Sequence, residues 1–246
     1  MNNSESPHFE ILQKHLFRYA LLAAAVAAIA CCYANALYNV FAAPLIAHLP
    51  EGSKLIATQL TAPFMVPITF ALFLTILVTL PYLFFEAWRF IKPGLYSHEK
   101  RLMLPFLVLA LILFYCGVLF AYCIICPTAI QFFMGTTPSS VTLMIDISHY
   151  SHFMLSLCGY TGLVFETPIL TFGLIQLNVV SIAQMSYFRK YVIVAAFILG
   201  MLLTPPDVIS QILLALPIWG LYELGILGAR FKRFKAKQQH PLKRYR

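Results

Sequence analysis

A chain of 246 residues that is 61% apolar, 11% charged and has a mean hydropathy of +0.81 reads as an integral membrane protein. Several of its apolar stretches exceed the ~18–20 residues a helix needs to cross a ~30 Å hydrocarbon core. One membrane domain over residues 1–246 is expected, which leaves no room for a separate soluble domain. The net charge of +8 does not point to nucleic acid, because eight of the seventeen Lys and Arg follow Gly228. Basic residues clustered there set orientation and meet anionic lipid.

Residues 1–16 are polar and mixed, and no cleavable signal is expected, since the apolar run that follows is too long. A first span is expected at 17–41, Ala-rich in its first half, which favours close helix contacts. Pro44, Pro50 and Gly52 mark a turn and an outer loop. A second span is expected at 63–85, kinked at Pro67 or Pro81. A polar loop from Glu86 to Arg101 follows, with Arg89, Lys92, Lys100, Arg101, Glu86, Glu99, Trp88, Phe90 and Tyr96. Pro93 and Gly94 end the arriving helix, and Ser97 starts the next one with Glu99 in its first turn.

The third span is expected at 102–126, and residues 127–148 form an outer segment with no Lys or Arg, read as an ordered cap. The fourth span, 153–177, carries Glu166 near its middle. Two apolar runs of 13 residues close the chain, 191–203 and 209–221, separated by Thr204, Pro205, Pro206 and Asp207. Thirteen helical residues rise only about 20 Å, so these runs predict either a re-entrant hairpin or two helices crossing a thinned bilayer. With six passages and the N-terminus inside, the inner segments 1–18, 86–101, 178–190 and 228–246 hold two, four, two and eight basic residues, and the outer loops hold only Lys54. That asymmetry predicts both termini on the cytoplasmic side.

All six cysteines lie in or beside apolar runs, so buried small hydrophobes are expected rather than disulfides. Cys123 and Cys126 have metal-like spacing without a second pair, and His149 with His152 reads as interfacial, so no metal is expected. Glu166 is the costliest residue: a carboxylate in hydrocarbon is either neutral and hydrogen-bonded to a neighbouring helix or faces a polar groove or partner helix. Gln211 is a second intramembrane polar contact, and Asp207 is placed to cap the last helix. The chain has no His-Glu-x-x-His, no phosphate loop and no Gly-x-Ser-x-Gly, so no enzymatic activity and no cofactor are expected. Scaffolding, binding and transport remain.

The strings Ala43-Pro44-Leu45, Pro63-Phe64, Trp88 through Arg101, Phe165-Glu166-x-Pro168 and Gly200 through Asp207 together resemble the TatC family, the multi-spanning subunit of the twin-arginine protein translocase. The resemblance covers most of the chain. It implies an all-α fold of six transmembrane helices, the last two short, in a concave glove-like arrangement with both termini cytoplasmic. It also implies a signal-peptide receptor in the bacterial cytoplasmic membrane, exporting folded proteins with the proton-motive force. The implied partners are TatA- and TatB-type single-span subunits, twin-arginine signal peptides and further copies in a larger complex. Glu99 matches the family position that offers a carboxylate to a signal arginine, beside Phe90, Pro93 and Tyr96. The N-terminal pattern departs: Ile11 stands where the family has Glu, Gln13 and His15 where it has Arg, and Glu10 comes one residue early. Glu10 is the substitute candidate. The alternative reading is a proton-coupled small-solute transporter with Glu166 as relay.

Overall fold

The computed structural model describes residues 7–48, 54–92, 97–138, 144–204 and 207–239, and of residues 7–11, 48, 54, 91, 97–103 and 235–239 only the backbone. In chain order the elements are α1 (Pro7–Cys32), α2 (Ala34–His48), β1 (Lys54–Ile56), α3 (Ala62–Ile91), α4 (Ser97–Phe120), a π-helical turn (Ala121–Ile125), α5 (Cys126–Thr136), β2 (Met144–Asp146), α6 (Ile147–Val164), α7 (Thr167–Gln176), α8 (Ile182–Leu203) and α9 (Val208–Gln239). Six helical segments among the described residues are long and apolar enough to cross a membrane: 12–32, 62–90, 104–136, 147–176, 182–203 and 208–234. Many large apolar side chains on them are exposed, as lipid-facing surfaces require. The chain divides into two compact units, residues 1–111 with 136–155, and residues 112–135 with 156–246.

In the first unit, α1 and α2 pack on α3. Small side chains make this possible: Ala30 and Ala34 are buried against Ala71, with Leu37 beside them. The expected unbroken span at 17–41 is interrupted at Tyr33, where the N–H bonds three residues back to Ala30 O and the chain restarts as α2. A single changed hydrogen bond leaves no mark on hydropathy. Pro44 is not at a turn. It lies inside α2, where a proline cannot bond to the carbonyl four residues back and crowds the preceding turn. The Tyr150 hydroxyl donates to Phe41 O at 2.9 Å, three residues before that proline, and the Phe41 ring stacks on the fully buried Phe70 at 4.9 Å.

The described parts of the segments between α2 and α3 and between α5 and α6 form a structural cap in this unit. β1 and β2 pair in parallel, Leu55 opposite Ile145. Asp146 ends β2 and starts α6: its Oδ1 accepts from the N–H groups of Ser148 (2.7 Å) and His149 (3.2 Å). Its Oδ2 accepts from the Thr58 N–H at 2.9 Å and from the Thr58 hydroxyl. The Thr58 hydroxyl first, then the surrounding N–H groups, hold this carboxyl well below the usual carboxylate range.

In the second unit α9 packs against α7 and α8. Ile175, Met185, Tyr222, Ile226 and Ala229 form a buried cluster, and the Tyr222 hydroxyl donates to Met185 O at 2.8 Å. Gly225 permits the approach of α9 to α7, because a Cβ there would stand 2.8 Å from Pro168 O. The helix that leaves α4 does not stop at 126. It widens into a π-helical turn, with Cys126 N–H donating to Ala121 O, directly before Pro127, which has no N–H to offer, and then continues as α5. Of the six cysteines, Cys126 and Cys158 are buried, whereas Cys31, Cys32, Cys116 and Cys123 face outward.

The two final apolar runs are 13 residues, but the helices that contain them are longer: α8 has 22 residues and α9 has 32. At 1.5 Å per residue these rise about 33 Å and about 48 Å, enough to cross. Each is extended by local chemistry that hydropathy does not register. Ser181 and Gln184 form a reciprocal capping box that starts α8 nine residues before its apolar run. Glu223, just beyond the α9 run, is held by Arg189 of α8, with Nε 2.6 Å from Oε1 and Nη2 donating to Oε2 at 2.8 Å. What is short is the apolar segment, not the helix.

Candidate functional site

Two groups of polar residues carry chemistry. The first lies at the C-terminal end of α3. Glu86 is buried, at 4% exposure, on the last turns of an otherwise apolar helix. Burial of a carboxylate demands partners, and His15 of α1 supplies one, its Nδ1 contacting Glu86 Oε2. The Tyr82 hydroxyl, one turn earlier, donates a second hydrogen bond, and Arg89 lies near enough to act on the same charge. Higher on the same helix pair, Tyr19 and Thr79 meet hydroxyl to hydroxyl at 3.2 Å, while Thr79 also donates to Thr75 O. The polar side chains of α1 and α3 are thereby tied in two layers.

Phe90, one turn beyond Glu86, is half-buried, and Arg89 is exposed. α3 runs on to Ile91 and ends as the Lys92 N–H bonds Trp88 O. α4 begins at Ser97, so position 99 lies in its first turn. The Glu99 and Glu10 side chains, Pro93 and Tyr96 lie outside the described residues. The backbone at Glu10 belongs to α1, which is continuous from Pro7. Positions 10 and 15 are therefore about 140° apart around one helix axis, and positions 11 and 15 about 40°. The polar stretch ahead of the first apolar run is therefore, from Pro7 on, a helical extension of α1 that His15 ties to α3.

The second group surrounds Glu166. α6 ends at Val164 and α7 begins at Thr167, so Glu166 occupies a break, in the position that precedes α7. Pro168 causes the break: it has no N–H for Val164 O, and the Thr167 hydroxyl takes that carbonyl at 2.5 Å instead. The Phe165 ring packs at 5.5 Å on Phe120. Gly117 leaves room for it, since a Cβ there would come within 2.8 Å of Phe165 Cγ. Glu166 Oε1 is buried with no hydrogen-bond partner among the described residues. Ten residues of α7 separate it from the helix end at Gln176, about 15 Å, so the carboxyl lies well inside the apolar span 147–176.

Gln211 does not join Glu166. Its side-chain amide donates to Phe197 O of α8 at 2.9 Å, where Gly200 allows α8 and α9 to approach. Asp207 precedes α9, and its Oδ2 accepts from the Ser210 N–H at 2.7 Å, the geometry of a helix cap. Pro205 and Pro206 lie outside the described residues. Reading the sequence missed the His15–Glu86 pair. The available signal was that Glu86 is the one acid in a 29-residue apolar span, a placement that calls for a partner.

These features define a multi-pass helical membrane protein whose buried acidic residues, Glu86, Asp146 and Asp207, lie near helix ends. Comparison with known proteins gives the particular family. The family model for Sec-independent protein translocase protein TatC matches residues 7–217. The TatC protein of Haemophilus influenzae is 44% identical over 224 residues, covering 91% of this chain and 88% of the relative. That of Escherichia coli K12 is 41% identical over 199 residues, covering 81% and 77%. A crystal structure of a twin-arginine translocase receptor TatC in detergent superposes with a TM-score of 0.75 at 33% identity, covering 90% of this chain and 99% of that one. The chain belongs to the TatC family and is a subunit of the twin-arginine protein translocase.

Proposed function

We propose that this subunit is the receptor for twin-arginine signal peptides, and that it binds them at the surface shared by the end of α3 and the start of α4. The observation that carries the reading is that Phe90 and Glu86 lie on the last turns of α3, while position 99 falls in the first turn of α4, the next helix in the chain. A guanidinium donates two hydrogen bonds to one carboxylate and stacks on an aromatic face, which an ammonium cannot do. Glu86 is already occupied by His15 and Tyr82, which leaves Glu99 as the principal partner. Pro93 and Tyr96 complete the loop between the two helices. Glu10 is the secondary carboxylate, and Ile11→Glu would place a carboxylate nearer the register that His15 sets.

The sixteen basic residues of the inner segments support an N-in, C-in orientation in the bacterial cytoplasmic membrane. Both units contain parts of the third and fourth spans, which supports one integral membrane domain rather than two separable ones. Glu166, whose Oε1 is buried without a partner among the described residues, suits a polar contact with a single-span partner of the TatA or TatB kind. In this reading the subunit performs no covalent chemistry and works in a larger complex driven by the proton-motive force on folded cargo. Membership of the TatC family gives no support to a proton-coupled solute transporter. The test is binding of a twin-arginine peptide and its twin-lysine counterpart to the detergent-purified chain. At least tenfold preference for arginine, reduced by Glu99→Gln, supports the proposal, and equal binding of both peptides overturns it.

A further inference from the structure

A cavity of about 150 Å³ opens at the other end of the second unit, lined by Ile175, Gln176, Asn178, Ala229, Lys232 and Arg233. Its shape follows from local structure. α7 ends at Gln176, and Asn178, at φ 57°, turns the chain back so that the Val179 N–H bonds Leu174 O at 3.1 Å. This turn forms one wall. α9 forms the other, where Gly228 and Ala229 keep the helix surface low and the Phe172 ring lies under the Lys232 side chain, 5.7 Å from Nζ.

Two properties of the cavity specify its ligand. One side is cationic: Lys232 Nζ is buried and has no hydrogen-bond acceptor among the described residues, and Arg233 stands next to it. The nearest carboxylate on α9, Glu223, is spent on Arg189. A desolvated ammonium without an acceptor is costly, so the site calls for an anion with several oxygens. The opposite side is apolar, with Ile175 and Ala229 at 3% and 4% exposure. Beside the turn, Leu177 and Val179 stand 75% and 65% exposed. The cavity also lies at a definite depth. Lys232 is 24 residues into α9 from Val208, about 36 Å of rise, which exceeds the ~30 Å hydrocarbon core and reaches the headgroup layer.

We infer that this cavity is a binding site for a phosphate anion, supplied by the headgroup of an acidic phospholipid. The phosphate oxygens accept from Lys232 Nζ and the Arg233 guanidinium, the Asn178 amide reaches the headgroup, and the glycerol ester lies against Ile175 and Ala229. The site goes beyond the general attraction of a basic tail, because it predicts one retained lipid rather than a diffuse layer. It does not depend on how signal peptides are bound.

Native mass spectrometry of the detergent-purified full chain tests it, with phosphatidylglycerol and phosphatidylcholine offered in equal amounts. The expected result is one retained phosphatidylglycerol, weakened about fivefold by each of Lys232→Gln and Arg233→Gln, the usual effect of one interfacial cation, and kept by Lys232→Arg. Lys14→Gln with Lys190→Gln removes the same charge elsewhere and should leave retention unchanged. Equal loss in that control, or retention without preference for phosphatidylglycerol, overturns the inference. Inorganic phosphate in a parallel thermal-shift titration separates the two sources. Protection by millimolar phosphate without any retained lipid would overturn a lipid headgroup as the occupant. If the glutamine variants unfold, Ala229→Leu fills the cavity with no change of charge and should abolish retention as well.

Discussion

Two carboxyl groups within apolar spans, one in each unit, are treated in opposite ways. Glu86 sits in a continuous helix and is enclosed by His15 and Tyr82. Glu166 sits in a break imposed by Pro168, with one oxygen buried and without a partner among the described residues. A buried polar group whose bonds are complete holds structure together, whereas an incomplete one costs stability and persists where something else completes it. The comparison assigns Glu86 to fastening α1 on α3 and Glu166 to an external contact.

The largest test of this difference removes each side chain in turn. Glu86→Ala leaves the His15 imidazole and the Tyr82 hydroxyl without their acceptor, and should cost about 3 kcal/mol, as expected when buried donors lose their partner. Glu166→Leu should change stability by less than about 1 kcal/mol, because no internal bond is lost, yet it should impair transport. Thermal unfolding in detergent, beside an export assay in cells, checks both. A large stability loss from Glu166→Leu would erase the distinction.

The next effect concerns which carboxylate meets the signal. Glu99→Gln should weaken twin-arginine peptide binding by about 1.5–3 kcal/mol, the worth of a charge-assisted hydrogen bond. Glu86→Gln, which keeps an acceptor for His15, should weaken it less. Calorimetric titration of the peptide ranks the two, and a stronger effect at Glu86 would mean that His15 gives way to the incoming guanidinium.

Much of this was legible from residue order, and the omissions have physical causes. The second span was readable because residues 63–85 carry no charge and end against Glu86 and Arg89. The role of Asp207 followed from its place after two prolines. Hydropathy could not see the break at Tyr33 or the continuation of α2 through Pro44, since both turn on single backbone hydrogen bonds. It also measured the last two helices by their apolar cores, missing the capping box of Ser181 and the Arg189–Glu223 pair that lengthen them. The His15–Glu86 contact joins residues 71 apart, and no local pattern encodes such a pairing.

A smaller expected effect tests whether Glu166 is reachable. In a cysteine-free background, Glu166→Cys should react with a water-soluble maleimide several-fold faster than Leu157→Cys, because Leu157 is 1% exposed in the same helical segment. Co-expression of a single-span partner should slow the reaction if that partner completes the carboxyl. Equal, slow labelling at both positions would put Glu166 among the enclosed groups with Glu86.

The smallest effect is confined to the outer cap, where a third carboxyl extends the comparison beyond the membrane. Asp146 resembles Glu86 in having every neighbour it needs: the Thr58 hydroxyl and N–H on one oxygen, and the Ser148 and His149 N–H groups on the other. Because these donors lower its folded pKa below that of the unfolded chain, its contribution is fully present above the ordinary carboxylate range and is lost as pH falls through the folded value. Between neutral pH and about pH 5 the cap should therefore be insensitive to acid. Thr58→Val removes the first of these donors, so the folded pKa rises, the contribution at neutral pH shrinks, and its loss is complete at a higher pH than in the parent chain. Asp146→Asn should lower protection at neutral pH and abolish the acid dependence altogether. Hydrogen exchange of the Leu55 and Ile145 amides, followed from pH 7 down to about pH 2, below the ordinary carboxylate range, reports on the β1–β2 pair directly. Global unfolding should hardly move, since α1, α2 and α3 pack together without the cap. Acid sensitivity that is the same in the parent and in Thr58→Val would show that Asp146 is not the group that titrates.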